Sequence, residues 1–158
     1  MAFGSMRVGR TDRTRRRLLA AAASGAALYA VRVSAVDADP AKLSTAIRSA
    51  FGDRPIVQQR VNVELPTLAE NGLVVPITVS VESPMTAADH VTRIQLFAER
   101  NNLAEIAAFE LGPHNGIAKV STRIRLAESQ QILAIAETSD GRLWSGAARV
   151  EVTISGCG

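Results

Sequence analysis

The sequence predicts an all-β fold: an immunoglobulin-like β-sandwich of about seven strands, preceded by one short N-terminal helix and followed by a flexible C-terminal arm. Three observations carry this expectation. From residue 56 onward, apolar residues alternate with polar ones at a period of two. Turn residues, chiefly Gly, Asn, Asp and Pro, interrupt that alternation at short intervals, as in a sandwich. A helical period occurs once, just before the first strand, and nowhere after it.

The helix is the stretch D-P-A-K-L-S-T-A-I-R-S-A-F-G. Asp39 suits the cap, Pro40 the first helical position, and Gly52 the left-handed stop. Leu43, Ala46, Ile47 and Ala50 fall on one face with Phe51 beside them, a stripe that predicts packing against the domain. In the strands that follow, Val61, Val63 and Leu65 share a face. Glu70 to Gly72 turns the chain, and Leu73, Val75, Ile77, Val79 and Val81 then align on one side. Pro76 within that run predicts an edge position or a bulge, because it has no N–H to donate. Ile94 and Leu96 alternate in the next strand, and A-E-I-A-A-F-E-L forms another. G-P-H-N-G leads into a strand with Val120, Thr122, Ile124 and Leu126 on one side. Q-I-L-A-I-A-E and W-S-G-A-A-R-V-E-V-T-I close the series around the turn Ser139 to Gly141. Aromatic residues make up 4 % of the chain, so aliphatic side chains must fill most of the core.

The N-terminus predicts export. Arg7, Arg10, Arg13, Arg15, Arg16 and Arg17 stand against one acid, Asp12, and an apolar run from Leu18 to Val31 follows. That run falls short of the about 20 apolar residues a spanning helix needs, so no membrane anchor is expected. Ala35 and Ala38 close V-S-A and V-D-A sequences that suit a signal peptidase. The alternatives are a basic nucleic-acid arm and an organellar transit peptide, which fit the apolar run and cleavage site less well. The expected organisation is a signal over residues 1–35, a helix-plus-sandwich domain over 36–154, and an arm over 155–158. The whole chain has 18 Lys+Arg and 15 Asp+Glu, a net charge of +3. Cleavage after Ala35 removes seven arginines and one aspartate, leaving 11 basic and 14 acidic residues and a net charge of −3. The basicity belongs to the signal, and the remainder has no footprint for nucleic acid.

Within the remainder, metal binding and a bound cofactor are not expected. Two histidines, His90 and His114, and one cysteine show no close ligand spacing. Both histidines suit solvated loops. Trp144 suits core packing or a cover over the sandwich edge, with a partner contact as the lesser alternative. Arg123 and Arg125 alternate with Ile124 and Leu126 and read as a solvated face, with anion binding as the minority reading. There is no nucleophile elbow, phosphate loop or paired-carboxylate motif, so the chain does not read as an enzyme. Cys157 stands apart. A lone thiol after the last strand, in an oxidising compartment, means intermolecular pairing or a reactive group. Ser155, Gly156 and Gly158 around it form a thin arm, because glycine adds no side chain to obstruct entry into a narrow pocket.

The stretch T-R-R-R-L-L (Thr14 to Leu19) resembles a twin-arginine export signal, with Arg15 and Arg16 as the pair. Together with a small all-β domain, S-T-R-I-R-L-A-E-S-Q, A-E-T-S-D-G-R-L-W and the closing S-G-C-G, it resembles the SoxY family of sulfur-compound carriers. The family tail usually reads G-G-C-G-G; here Ser155 replaces the first glycine and the last is missing. The resemblance implies a periplasmic protein with Cys157 as the covalent attachment point for thiosulfate-derived sulfur. It also implies a SoxZ-like β-sandwich partner, a haem c enzyme that couples thiosulfate to the thiol, and a hydrolase that releases sulfate. No cofactor of the chain's own is implied. A thiol has a pKa of about 8.5 and reacts as the thiolate. The carboxylate expected after Gly158 disfavours a second negative charge nearby, so activation falls to the partner enzyme.

Two other classes remain at this level: an exported structural or adhesion subunit whose cysteine makes an intermolecular disulfide, and a thiol enzyme using Cys157 with His90 or His114. Export has its own test. Changing Arg15 and Arg16 to Lys should leave the precursor in the cytoplasm, as seen by fractionation and blotting, whereas normal export would point to the general secretory route.

Overall fold

The computed structural model describes Met1 and residues 40–153. The expected signal with Arg15 and Arg16, and the expected arm with Ser155, Gly156, Cys157 and Gly158, lie outside the described residues. Helix α1 runs over Pro40–Phe51. Nine strands follow: β1 Ile56–Val57, β2 Val61–Glu64, β3 Leu68–Ala69, β4 Val75–Val81, β5 Val91–Ala98, β6 Glu105–Glu110, β7 Lys119–Ile124, β8 Gln130–Thr138 and β9 Leu143–Val152. Seven of these have four residues or more; β1 and β3 are two-residue parallel pieces added to β9.

The strands form two sheets, as an immunoglobulin-like sandwich requires. One has the order β1-β9-β8-β5-β6, with β3 also on β9; the other is β2-β4-β7. Between them lies an aliphatic core built from alternate residues. Val75, Ile77, Val79 and Val81 of β4 face Ile94 and Leu96 of β5, Ile132 and Ala134 of β8, and Val150 of β9. Leu73, placed by its spacing on the same face as Val75, is 63 % exposed, because β4 starts two residues later and residues 70–74 are still turning.

The outer face of the larger sheet is covered too. Leu43, Ala46, Ile47, Ala50 and Phe51 of α1 pack on Phe97, Ile135 and Leu143. This explains why β5 is buried continuously from Ile94 to Ala98: a strand covered on both faces loses the alternation of a half-buried one. Gly52 ends the helix at φ 70°, with its N–H donating to Arg48 O at 2.8 Å. Two arginines then fasten that end to the sheet. Arg54 Nε donates to Phe51 O at 2.8 Å and Arg93 Nη2 to Ala50 O at 3.2 Å. Both guanidinium groups also reach Glu137, at 2.5 and 2.9 Å. Burial on its own would raise the Glu137 carboxyl, but the hydrogen bonds and charges of Arg54 and Arg93 outweigh it and hold the group below its ordinary value.

Pro76 sits beyond the last β2–β4 pair, Glu64↔Thr78, where β4 has only β7 beside it. Its missing N–H therefore costs no ladder bond on the β2 side. Gly146, in β9, marks a close approach to β2 of the other sheet. A Cβ there would lie 2.1 Å from the carbonyl oxygen of Val61 in β2. Gly146→Ala should therefore destabilise the domain by about 1–3 kcal/mol, since the obstacle is backbone and cannot swing aside. Urea unfolding measures this, and a wild-type midpoint would contradict the close approach.

Candidate functional site

The structure describes the chain up to the root of the expected arm. β9 reaches that root as the longest strand, and its last residues are tied on both sides. On one side, Glu151 N–H donates to Thr67 O at 2.9 Å and Thr153 N–H to Ala69 O at 3.0 Å, with Leu68 and Ala69 in register with Glu151 and Val152. On the other, Val152 N–H donates to Ser129 Oγ at 2.9 Å, and the Ser129 hydroxyl donates back to Val152 O at 3.4 Å. The chain is thus fixed through Thr153, four residues before Cys157.

The loops around this root are stitched to one another. Asn101 Nδ2 donates to Arg125 O at 2.8 Å, and Asn101 Oδ1 accepts from Ala127 N at 3.0 Å and from Gln130 Nε2 at 2.9 Å. Gln130 is fully buried, and its Oε1 accepts from Arg100 N at 2.8 Å. Gly72 brings the loop after β3 against the same corner: a Cβ there would lie 2.4 Å from Leu126 O and 3.0 Å from Val152 Cγ1. Asn101, Ser129 and Gln130 were not singled out in the sequence. Their available signal was Gln130 itself, a polar side chain on the same inward face of β8 as Ile132 and Ala134.

Beside the root, between edge strands β6 and β7, lies an open groove of about 550 Å³ lined by Leu73, Leu103, Ile106 and Leu126, with Arg123 and Arg125 also in its wall. Both arginines are exposed, as the alternation predicted.

The remaining candidates sit at the opposite pole. His90 precedes β5, where its N–H donates to Ser139 Oγ at 3.3 Å and its Nδ1 lies 3.1 Å from Thr86 O. His114 is exposed in the short 3₁₀ turn Pro113–Asn115 between β6 and β7. Ten residues of β9 separate that pole from the arm root, about 30 Å at ~3.3 Å per residue. Four extended residues beyond Thr153 reach about 14 Å. Both histidines thus lie at the pole opposite Thr153, farther from it than four extended residues reach. Trp144 lies at this pole as well, 7 % exposed, with its Nε1 donating to Thr138 Oγ1 at 3.4 Å. Arg60 stacks 4.3 Å and Arg142 5.5 Å from its ring centroid. It therefore covers the sandwich end, as one of its sequence readings had it. In the adjoining turn, the Thr138 hydroxyl and then the Arg142 backbone and side chain hold the Asp140 carboxyl down to about 2. Among the described residues no group of three or more His, Cys, Asp or Glu is placed to hold a metal ion. No described helix is long and apolar enough to cross a membrane.

Comparison with known proteins places this architecture. The solved structure of the sulfur carrier protein SoxY from Chlorobium limicola f. thiosulfatophilum matches with a TM-score of 0.62 and 31 % identity, covering 73 % of this chain and 100 % of that one. A superoxide reductase (neelaredoxin) from Ignicoccus hospitalis matches at TM-score 0.54 and 20 % identity over 72 % of this chain and 93 % of that one. One from Nanoarchaeum equitans matches at 0.51 and 18 %, over 61 % and 100 %. At such identities these two share the fold alone. No curated protein matched. The family model for the sulfur oxidation protein SoxY matches residues 47–157. With the sandwich, the C-terminal strand and that match together, the chain belongs to the SoxY family of sulfur oxidation proteins.

Proposed function

We propose that this chain is a covalent carrier of sulfur intermediates, which it holds on Cys157 and presents to partner enzymes. One observation carries the reading: the family match runs through Cys157, and the described domain ends in a strand tied on both sides four residues before that thiol. A fixed root and a short glycine-containing segment give a reach of about 14 Å, which demands that a partner's pocket accept the segment closely. Ser155, Gly156 and Gly158 keep it narrow.

The chemistry divides between chains. A haem c enzyme couples thiosulfate to the Cys157 thiolate: one S–S bond forms and two electrons leave to the haem. The product is an S-thiosulfonate. A hydrolase then adds water to the sulfonate sulfur, releasing sulfate and two protons and leaving a persulfide on Cys157. This chain supplies the sulfur anchor and performs neither step. A SoxZ-like β-sandwich subunit completes the carrier in this reading. The protein works in the periplasm after export by the twin-arginine route, with Arg15 and Arg16 as the signal pair.

The experiment is Cys157→Ser. A hydroxyl cannot form the S–S bond, so the variant should keep its fold and its partner while thiosulfate-dependent sulfate release falls to background in a reconstituted system. Retained release would falsify the carrier role, and an unfolded variant would make the cysteine structural.

A further inference from the structure

We propose that Asn71 is a site of spontaneous covalent modification: the Gly72 backbone nitrogen attacks its side-chain amide and converts it, through a cyclic imide, to aspartate and isoaspartate. The reaction consumes water alone, and the isoaspartyl product is the one the fold cannot accommodate. The proposal is independent of the carrier reading, since it concerns the corner that holds the end of β9.

The sequence holds five asparagines, and two of them, Asn71 and Asn115, precede a glycine. Glycine has no side chain to obstruct an approach to its own nitrogen, so these two are the candidates. The fold treats them differently. Asn71 is exposed, and its Oδ1 accepts from Leu73 N–H at 2.8 Å. The ring closed by this bond contains both Asn71 Cγ and the Gly72 nitrogen, so the side chain is curled over the amide that attacks it. The bond also polarises the side-chain carbonyl and leaves Cγ more open to a nucleophile. Gly72 N–H donates no hydrogen bond among the described residues. At Asn115 both groups are engaged elsewhere. Its Oδ1 accepts from Gly112 N–H at 2.8 Å, three residues upstream and away from Gly116. Gly116 N–H in turn donates to Pro113 O at 3.3 Å.

The chemistry balances without a redox step. Base removes the Gly72 amide proton, the nitrogen bonds to Asn71 Cγ, and the side-chain nitrogen takes up a proton and leaves as ammonia. Water then opens the imide at either carbonyl. Breaking the bond from nitrogen to Cγ restores the main chain with an aspartate side chain, which still accepts from Leu73 N–H. Breaking the bond from nitrogen to the Asn71 main-chain carbonyl carbon routes the chain through Cβ and Cγ, longer by one C–C bond of about 1.5 Å. Gly72 has no room for that shift. A Cβ on it would already lie 2.4 Å from Leu126 O and 3.0 Å from Val152 Cγ1, and Gly72 O is bound by Leu126 N–H at 2.8 Å. The isoaspartyl chain therefore pushes Gly72 off Leu126 and Val152 and loosens the corner.

The test ages the full chain in mildly alkaline buffer and follows each asparagine by peptide mass mapping, with an isoaspartate methyltransferase as the probe for isoaspartate. In the folded protein Asn71 should convert roughly tenfold faster than Asn115 or more, a factor set by the two hydrogen bonds that the Asn115 site must break. In concentrated urea, where those bonds are gone, the two should convert at similar rates. Aged protein rich in isoaspartate should then unfold at lower urea than wild type, whereas Asn71→Asp, which keeps the turn, should match wild type. Equal rates at Asn71 and Asn115 in the folded protein would overturn the proposal. A preference for Asn71 that persists undiminished in urea would overturn it too, by assigning the difference to sequence and not to the fold. Aged protein with the wild-type midpoint would overturn the steric consequence at Gly72.

Discussion

The structure depends on how β9 is held. It is buried on both faces and paired along both edges. Its inner face carries Val150 into the core, and Gly146 admits the Val61 carbonyl of the opposite sheet. Its outer face puts Leu143 under the helix with Phe51, Phe97 and Ile135. β8 runs along one edge, while β1 and β3 cover the start and end of the other. Short parallel pieces on an otherwise open edge keep foreign strands from adding there. The end of the strand, and hence the direction in which the chain departs, is fixed by backbone hydrogen bonds on the β3 side and by the Ser129 hydroxyl on the other.

That constraint suits a carrier better than an enzyme. A catalytic thiol needs a base and an orienting group within hydrogen-bond reach. Here the histidines stand at the far pole, beside Trp144 and the Asp140 turn. The near pole instead offers loops locked by Asn101 and Gln130, an apolar groove and two exposed arginines. In the proposed reading, a rigid platform with a short reach would keep the cargo within a small volume, where a docked partner enzyme would meet it at high effective concentration.

Much of the fold was legible in the sequence because period carries it. The helix stripe from Leu43 to Phe51, the alternation in β4 and β7, and the local edge at Pro76 all follow from which faces meet water. Legibility failed where tertiary contacts override period. Leu73 matches the β4 alternation yet lies in the preceding turn, and β5 alternates in neither burial nor polarity once the helix covers its outer face. β1 and β3 are two residues each, too short for any pattern, and exist because β9 offers them an edge. In the site, the thiol and its glycines stand out by composition. The polar network of Asn101, Ser129 and Gln130 does not, since its members are joined by loops that come together only in the folded domain. Arg123 and Arg125 were legible as exposed, and their place in the wall of a groove beside the arm root was not.

The central claim is that sulfur rides covalently on Cys157. Its most direct measurement is peptide mass mapping, without reductant, of the protein purified from cells actively oxidising thiosulfate. The account predicts persulfide or S-thiosulfonate mass additions confined to the C-terminal peptide containing Cys157, and their loss on treatment with a thiol. A C-terminal peptide found only as the free thiol or as a disulfide-linked dimer, under the same conditions, would contradict it.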